Sequence, residues 1–150
     1  MRAVRVTTTR FNGEVMIADA SAINRAESSK LAATLVEAIN AWQIVTCEIV
    51  TLELLRSARN RDEVEEREAS QSTFHHVPVT RSVQRAALTA LRELAKRGAG
   101  RHRVPVPDVL IAAAAQEAGV GVLHYDRHFD RLAEVLHFRS VWLAPAGSLA

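Results

Sequence analysis

Short apolar runs alternate along this chain with longer stretches in which apolar residues recur every three or four positions. The runs have the length of buried strands, and the periodic stretches have the spacing of amphipathic helices. Predicted strands cover residues 15–18, 42–46, 76–79, 120–125 and 138–143. Predicted helices run from Ser28 through Ile39, over 47–59 and 61–68, from a cap at Thr80 to Gly98, from Pro107 to about Gly119, and over 127–135.

This order of elements predicts an α/β fold. Strands that alternate with helices form right-handed crossovers, so we expect a three-layer α/β/α domain with a short parallel sheet flanked by helices. The 150 residues suit a single domain, which we assign to 15–150, with 1–14 as a loosely attached N-terminal arm. In such sheets a ligand site lies beyond the carboxyl ends of the strands.

Acidic residues fall at these strand ends. Asp19 and Asp126 each follow an apolar strand, and Asp108 begins an almost wholly apolar helix. A carboxylate close to core positions is costly unless it is paired or bound to a metal. Glu53 is the fourth candidate, because it stacks over the apolar residues one turn earlier on its helix. The convergence of these acids predicts a site for a hard cation such as Mg²⁺.

Each acid also has an ordinary structural interpretation. Asp19, Asp108 and Asp126 could cap the helices that follow them, which stabilises a helix by about 1 kcal/mol. Glu53 could be a surface residue paired with Arg56 or Arg59. Single caps are more common than sites, so only the group of acids together favours a metal site.

Composition narrows the classes of protein. No apolar run approaches the roughly 18 residues that span a bilayer, and the start of the chain has no apolar segment of the secretory type. Cys47 is the single cysteine, which excludes a disulfide framework and favours the reducing cytoplasm. No cysteine or histidine spacing fits zinc. The net charge of +2 and the pI near 9.2 permit nucleic-acid binding without requiring it.

Four segments resemble the motifs of PIN domains, in the family's order. Met16-Ile-Ala-Asp19-Ala-Ser21 resembles the opening strand, and Thr51-Leu-Glu53 resembles the helix glutamate. Val104-Pro-Val-Pro-Asp108 and His124-Tyr-Asp126-Arg-His-Phe resemble the third and fourth acid motifs. The length and the style of the last two motifs are most similar to the VapC toxins of bacterial toxin–antitoxin pairs.

That resemblance implies a metal-dependent endoribonuclease that acts on tRNA or ribosomal RNA, a co-expressed antitoxin of the VapB type, and a homodimer. It implies Asp19, Glu53, Asp108 and Asp126 as catalytic residues, with Asp19, Asp108 and Asp126 on Mg²⁺ or Mn²⁺. A cation held there lowers the pKa of water and orients it for attack on a phosphodiester. Ser21 would donate a hydrogen bond to one of these carboxylates or to a bound water, although it could also be a plain helix N-cap. Phosphate contacts are predicted for arginines around the rim: Arg97, Arg101, Arg103, Arg127 and Arg131.

Two departures from the family bear on these expectations. Many relatives carry a second acid two positions after the fourth, where this chain has His128, and Asp130 is a possible substitute. The number of metal ions therefore stays open. Relatives also often begin close to the first strand, which makes Met16 a candidate for the native start.

Three rival functions compete with this interpretation of the sequence, and the first two lack residues that they need. A haloacid-dehalogenase phosphatase needs Asp-x-Asp after its first strand, but Ser21 stands at the second position. A phospho-receiver needs adjacent acids after the first strand and a late lysine, but no lysine follows Lys96. A degenerate PIN domain that binds RNA or a protein without cleavage is the alternative that His128 keeps open.

Overall fold

The computed structural model describes residues 11–149. The strands are β1 (Met16–Ala18), β2 (Ile44–Val45), β3 (Gly121–His124) and β4 (Ser140–Trp142). The helices are α1 (Ala20–Glu27), α2 (Ala32–Asn40), α3 (Glu48–Arg56), α4 (Arg61–Ser72), α5 (Arg81–Arg97), α6 (Val106–Ala118) and α7 (His128–Leu132).

The sheet of the described residues has four parallel strands in the order β2-β1-β3-β4. Alternate side chains of β1 enter different halves of the core, since successive residues of a strand face opposite sides. Ile17 packs with Val122 in one apolar cluster, whereas Met16 and Ala18 pack with Leu123 in the other. The predicted three-layer α/β/α fold is confirmed.

Helices α5 and α6 pack against each other in the larger apolar cluster. The Thr80 hydroxyl accepts from the Val83 N–H, so Thr80 caps α5 as its sequence predicts. Helix α6 buries a run of small residues, Ala112 to Ala115, which lets its backbone lie close to the sheet and to α5. This packing brings Asp108, in the first turn of α6, close to Asp19, which follows β1.

The helix predicted from Ser28 through Ile39 is confirmed as α2 over Ala32–Asn40, but its predicted start at Ser28 is wrong. The structure divides this region into α1 and α2, and Ser28 ends α1, where its N–H and its hydroxyl both donate to the Asn24 carbonyl. Serine serves helix ends and turns through such local bonds, so its type alone does not say which end it caps.

Three further predictions are corrected, two of them at the β2 edge of the sheet. Residues 76–79 form only a single bridge, His76 to Thr46, rather than a strand. Trp42, expected in the core, is 88% exposed and has a φ of 60°, because it occupies the turn between α2 and β2. Trp142, also expected in the core, is half-buried.

The residues that precede β1, from Phe11 to Glu14, contact the rest of the domain. Phe11 is buried in the second apolar cluster, and Glu14 pairs with Arg139 at 2.8 Å. These contacts hold residues 11–14 against the domain. Residues 1–10 lie outside the described part, so the N-terminal arm over 1–14 and the single domain over 15–150 stay predictions. Within residues 11–149, no helix is both long enough and apolar enough to cross a membrane.

Candidate metal centre

Two neighbouring strands bring the first acids together. Asp19 follows β1 directly, and Asp126 lies two residues beyond β3. These strands are paired in parallel, with Ala18 opposite Leu123, so both acids emerge at the carboxyl edge of the sheet. Asp19 also caps α1, where Oδ2 accepts from the Ser21 N–H at 3.0 Å and the Ser21 hydroxyl at 2.6 Å.

Two helices complete the group. Glu53 lies on α3, and Asp108 lies in the first turn of α6, where it is only 6% exposed. Asp108 is not the cap, because Pro105 occupies that position. A cleft of about 480 Å³ opens here, lined by Asp19, Ala20, Ser21, Asn24, Glu53, Arg56, Ser57, Asp108 and Asp126.

The donor set of this cleft fits a divalent cation. One oxygen each of Asp19, Glu53 and Asp108 lies within 4.8 Å of the others, and a second such group joins Asp108, Asp126 and His128. Asp19 Oδ1, Glu53 Oε1 and Asp108 Oδ2 are buried and accept no hydrogen bond. Buried carboxylate oxygens without partners are rare, since each one carries a desolvation cost, and a hard cation is the ligand that satisfies them.

Burial, and to a lesser extent mutual repulsion, raises the pKa values of the acids in this cleft. Burial raises the pKa of Asp108 to about 8, and the charges of Asp19, Asp126 and Glu53 add to the effect. Burial also raises the pKa of Asp19, although the hydrogen bonds from Ser21 oppose it. The pKa of Glu53 is raised by burial and by the charge of Asp19. A divalent cation would reverse these shifts by favouring the ionised forms.

Ser21 links two acid-bearing segments. Its hydroxyl donates to Asp19 and accepts from the Tyr125 N–H at 3.0 Å, one residue before Asp126. The sequence prediction that Ser21 supports a carboxylate is consistent with these bonds.

Asp130 lies away from the cleft, bonded to other partners. Its carboxylate accepts from the Ser140 hydroxyl at 2.7 Å and from the Trp142 indole at 2.9 Å. Ser140 also contacts His124 Nε2 at 2.6 Å, and His124 Nδ1 accepts from the Asp126 N–H. Asp130 is therefore connected to Asp126 only through the hydrogen bonds of Ser140 and His124, and its supporting role behind the acids stays a prediction.

The five predicted phosphate-binding arginines lie outside the lining of the cleft. Arg101 is paired with Glu134, which occupies its guanidinium. Arg97, Arg103 and Arg127 are exposed, and Arg131 is half-buried. Their role in RNA binding stays a prediction.

Sequence reasoning missed three residues that line the cleft, Asn24, Arg56 and Ser57. Asn24 and Arg56 lie three residues after Ser21 and Glu53, which places each pair on one helix face. That spacing was an available signal. His128 was noted in sequence at the place of the family's second acid, but the direction of its ring toward Asp126 is set by the turn that the structure shows.

Comparison with known proteins identifies the family. The model of the PIN domain matches residues 16–135. The chain belongs to the PIN domain family. Ribonuclease VapC18 of Mycobacterium tuberculosis is 33% identical over 136 residues, which are 90% of this chain and 99% of the relative. Ribonuclease VapC51 of the same organism is 35% identical over 131 residues, which are 87% and 94% of the two chains.

Solved structures agree with this PIN fold. The VapBC-5 toxin–antitoxin system of Mycobacterium tuberculosis aligns at a TM-score of 0.61 and 21% identity, covering 86% of this chain and 98% of the other. A toxin–antitoxin complex from Klebsiella pneumoniae aligns at a TM-score of 0.57 and 18% identity, covering 75% and 87%.

Proposed function

We propose that this PIN domain is a divalent-metal-dependent endoribonuclease that acts as the toxin of a type II toxin–antitoxin pair. The observation that carries the proposal is the set of buried, unpartnered oxygens on Asp19, Glu53 and Asp108 at the carboxyl edge of the sheet. An acidic pocket of this kind is unfavourable without a cation, and a cation beside an open cleft is suited to phosphodiester hydrolysis.

The residues of this cleft have different proposed roles in metal binding and catalysis. Asp19, Asp108 and Asp126 are the proposed ligands of Mg²⁺ or Mn²⁺. Glu53 faces the same position from α3 and would hold the ion through the water that it orients. The bound ion supplies Lewis acidity and charge neutralisation at the phosphate. Ser21 keeps Asp19 in position by donating from its hydroxyl at 2.6 Å.

The biological role is inferred from the relatives. Those relatives carry the name Ribonuclease VapC, and the aligned structures are titled as toxin–antitoxin systems. These names support a cognate VapB-type antitoxin and an RNA substrate, which we propose to be tRNA or ribosomal RNA. The proposed homodimeric state comes from the family resemblance, and the proposed cytoplasmic location from the single cysteine.

RNA approach requires positive charge near the acids. Arg56 lines the cleft beside Glu53, and Arg127 is the neighbour of Asp126. Arg97, Arg103 and Arg131 extend the proposed phosphate-binding rim, with Arg101 the weakest member because it is paired with Glu134. Each phosphate contact should make binding more sensitive to salt.

Cleavage of labelled total RNA tests the function directly. Wild type with Mg²⁺ or Mn²⁺ should produce discrete bands, and EDTA or Asp108→Asn should abolish them. Asp62→Asn is the matched control, because Asp62 is an exposed aspartate in the first turn of α4. A folded wild type that binds RNA but never cuts it would replace the nuclease proposal with the degenerate binding domain.

A further inference from the structure

The ring of His128 stands between two of the acids. Its Nδ1 lies 2.8 Å from Asp126 Oδ1 and 3.5 Å from Asp108 Oδ2. The turn is held by the Asp126 side chain, which accepts from the His128 N–H at 3.0 Å, and by the adjacent Phe129, which is fully buried. This turn therefore directs the His128 ring toward the two acids.

The facing atoms are buried and lack partners. His128 Nδ1 and Asp108 Oδ2 are both shielded from solvent and make no hydrogen bond. Asp108 is more than nine-tenths buried, so solvent does not compensate its free oxygen. Buried polar atoms without a hydrogen bond are rare, and a ligand in contact with both atoms would remove the cost of burying them.

The spacing of these atoms suits a shared ion. Two ligands at right angles on an ion that binds at about 2.1 Å are about 3 Å apart. The distances of 2.8 Å and 3.5 Å from the imidazole nitrogen lie on either side of that value. Asp126 Oδ1 accepts one hydrogen bond and keeps a second lone pair for a cation.

We propose that His128 Nδ1 is a direct ligand of a divalent ion held with Asp108 and Asp126, next to the all-oxygen position of Asp19, Glu53 and Asp108. Asp108 belongs to both groups of donors, so its carboxylate would serve both positions. This inference rests on the proposed metal-dependent function and refines its metal.

The nitrogen ligand determines which ion the second position takes. Mg²⁺ prefers oxygen ligands and keeps its waters, whereas imidazole suits first-row transition ions. The position with His128 therefore favours Mn²⁺ over Mg²⁺. The position with Asp19 and Glu53 has oxygen donors alone and accepts either ion.

The competing arrangement is a salt bridge. A protonated His128 would neutralise Asp126 and exclude a cation from the same space. It would place no nitrogen on a metal, so a spectroscopic measurement separates the two arrangements without reference to activity.

Electron spin-echo modulation of the Mn²⁺-loaded protein is the deciding experiment. Wild type should show ¹⁴N modulation from a coordinated nitrogen, and labelling of histidine alone with ¹⁵N should convert it to the ¹⁵N pattern. His128→Gln should lose the histidine signal, and His137→Gln, at an exposed histidine, should keep it. Absence of the signal in wild type, or its survival in H128Q, overturns the proposal.

Calorimetric titration tests the ion preference with the same variants. Wild type should bind two Mn²⁺ per chain, and H128Q should bind one with unchanged folding by circular dichroism. His128→Asp should restore the second ion and lower the Mn²⁺-over-Mg²⁺ preference by about tenfold or more, since oxygen replaces nitrogen. An unchanged preference in H128D would contradict the assignment.

The two proposals can fail separately. EDTA-sensitive RNA cleavage without a histidine signal removes the His128 ligand and leaves the nuclease standing. A histidine signal in a protein that never cleaves RNA removes the nuclease and leaves the metal position.

Discussion

The hydroxyl of Ser21 accepts a hydrogen bond from the backbone N–H of Tyr125 at 3.0 Å, although the two residues are 104 positions apart. The same hydroxyl donates to Asp19 at 2.6 Å. One oxygen thus ties the acid after β1 to the segment that carries Asp126. The relative position of the two acids depends on this contact as well as on the sheet.

Ser21→Ala should weaken metal binding and RNA cleavage by about 10- to 100-fold, because the variant removes the hydroxyl that donates to Asp19 and accepts from the Tyr125 N–H. Calorimetry with Mn²⁺ and cleavage rates at saturating ion measure the two effects. Ser21→Thr retains the hydroxyl and should stay within a few-fold of wild type. Equal losses in both variants would show that size, rather than the hydroxyl, matters at this position.

Asp108→Asn should change the pH dependence of stability of the metal-free protein. Burial raises the folded pKa of Asp108 to about 8, from an ordinary value of 3.8. Between these values the native state holds a proton that the unfolded state releases, so this group's contribution falls as pH rises from about 4 to 8. D108N should therefore be the more stable protein at pH 8, by at least about 1 kcal/mol.

Urea denaturation in EDTA between pH 5 and pH 8 measures this difference. Wild type and D108N are compared at each pH, which cancels contributions they share, such as that of His124. Burial lowers the pKa of His124 to about 4, so its contribution is lost as pH falls below 6.5. Parallel pH curves for the two proteins would contradict the assigned acidity of Asp108.

Ser140→Ala should destabilise the fold by about 1–3 kcal/mol, because it removes a partner of the buried His124 ring. His124 is fully buried, and its Nδ1 already accepts from Asp126 N–H, which leaves Nε2–H to donate to Ser140. Thermal denaturation measures the loss. Ser140→Thr keeps the hydroxyl and is the control. An unchanged melting temperature in S140A would mean that His124 finds another acceptor.

Trp42→Gly should leave the protein as stable or raise its stability by up to about 1 kcal/mol. Trp42 has a φ of 60°, which glycine adopts without strain, and at 88% exposure it has little packing to lose. Chemical denaturation of W42G against wild type measures the change. A loss above about 1 kcal/mol would show that the indole packs on the neighbouring apolar residues.

The fold class was predictable because its signals are local. The apolar run before Asp19 and the periodic positions between Thr80 and Gly98 need only the strand and helix periods to be interpreted. The boundary between α1 and α2 was not predictable in the same way. Ser28 suits either end of a helix, and only the packing of Ala22 and Ala26 into the core shows that it ends α1.

The sequence by itself determined which acids converge, because Asp19 and Asp126 follow strands that a parallel sheet brings to one edge. Only the tertiary structure decided which acids form each of the two groups of possible metal ligands. The packing of α6 against the sheet leaves Asp108 between two groups, and the buried Phe129 turns His128 toward Asp126. Such placements depend on side-chain packing across elements far apart in the chain, which no local periodicity encodes.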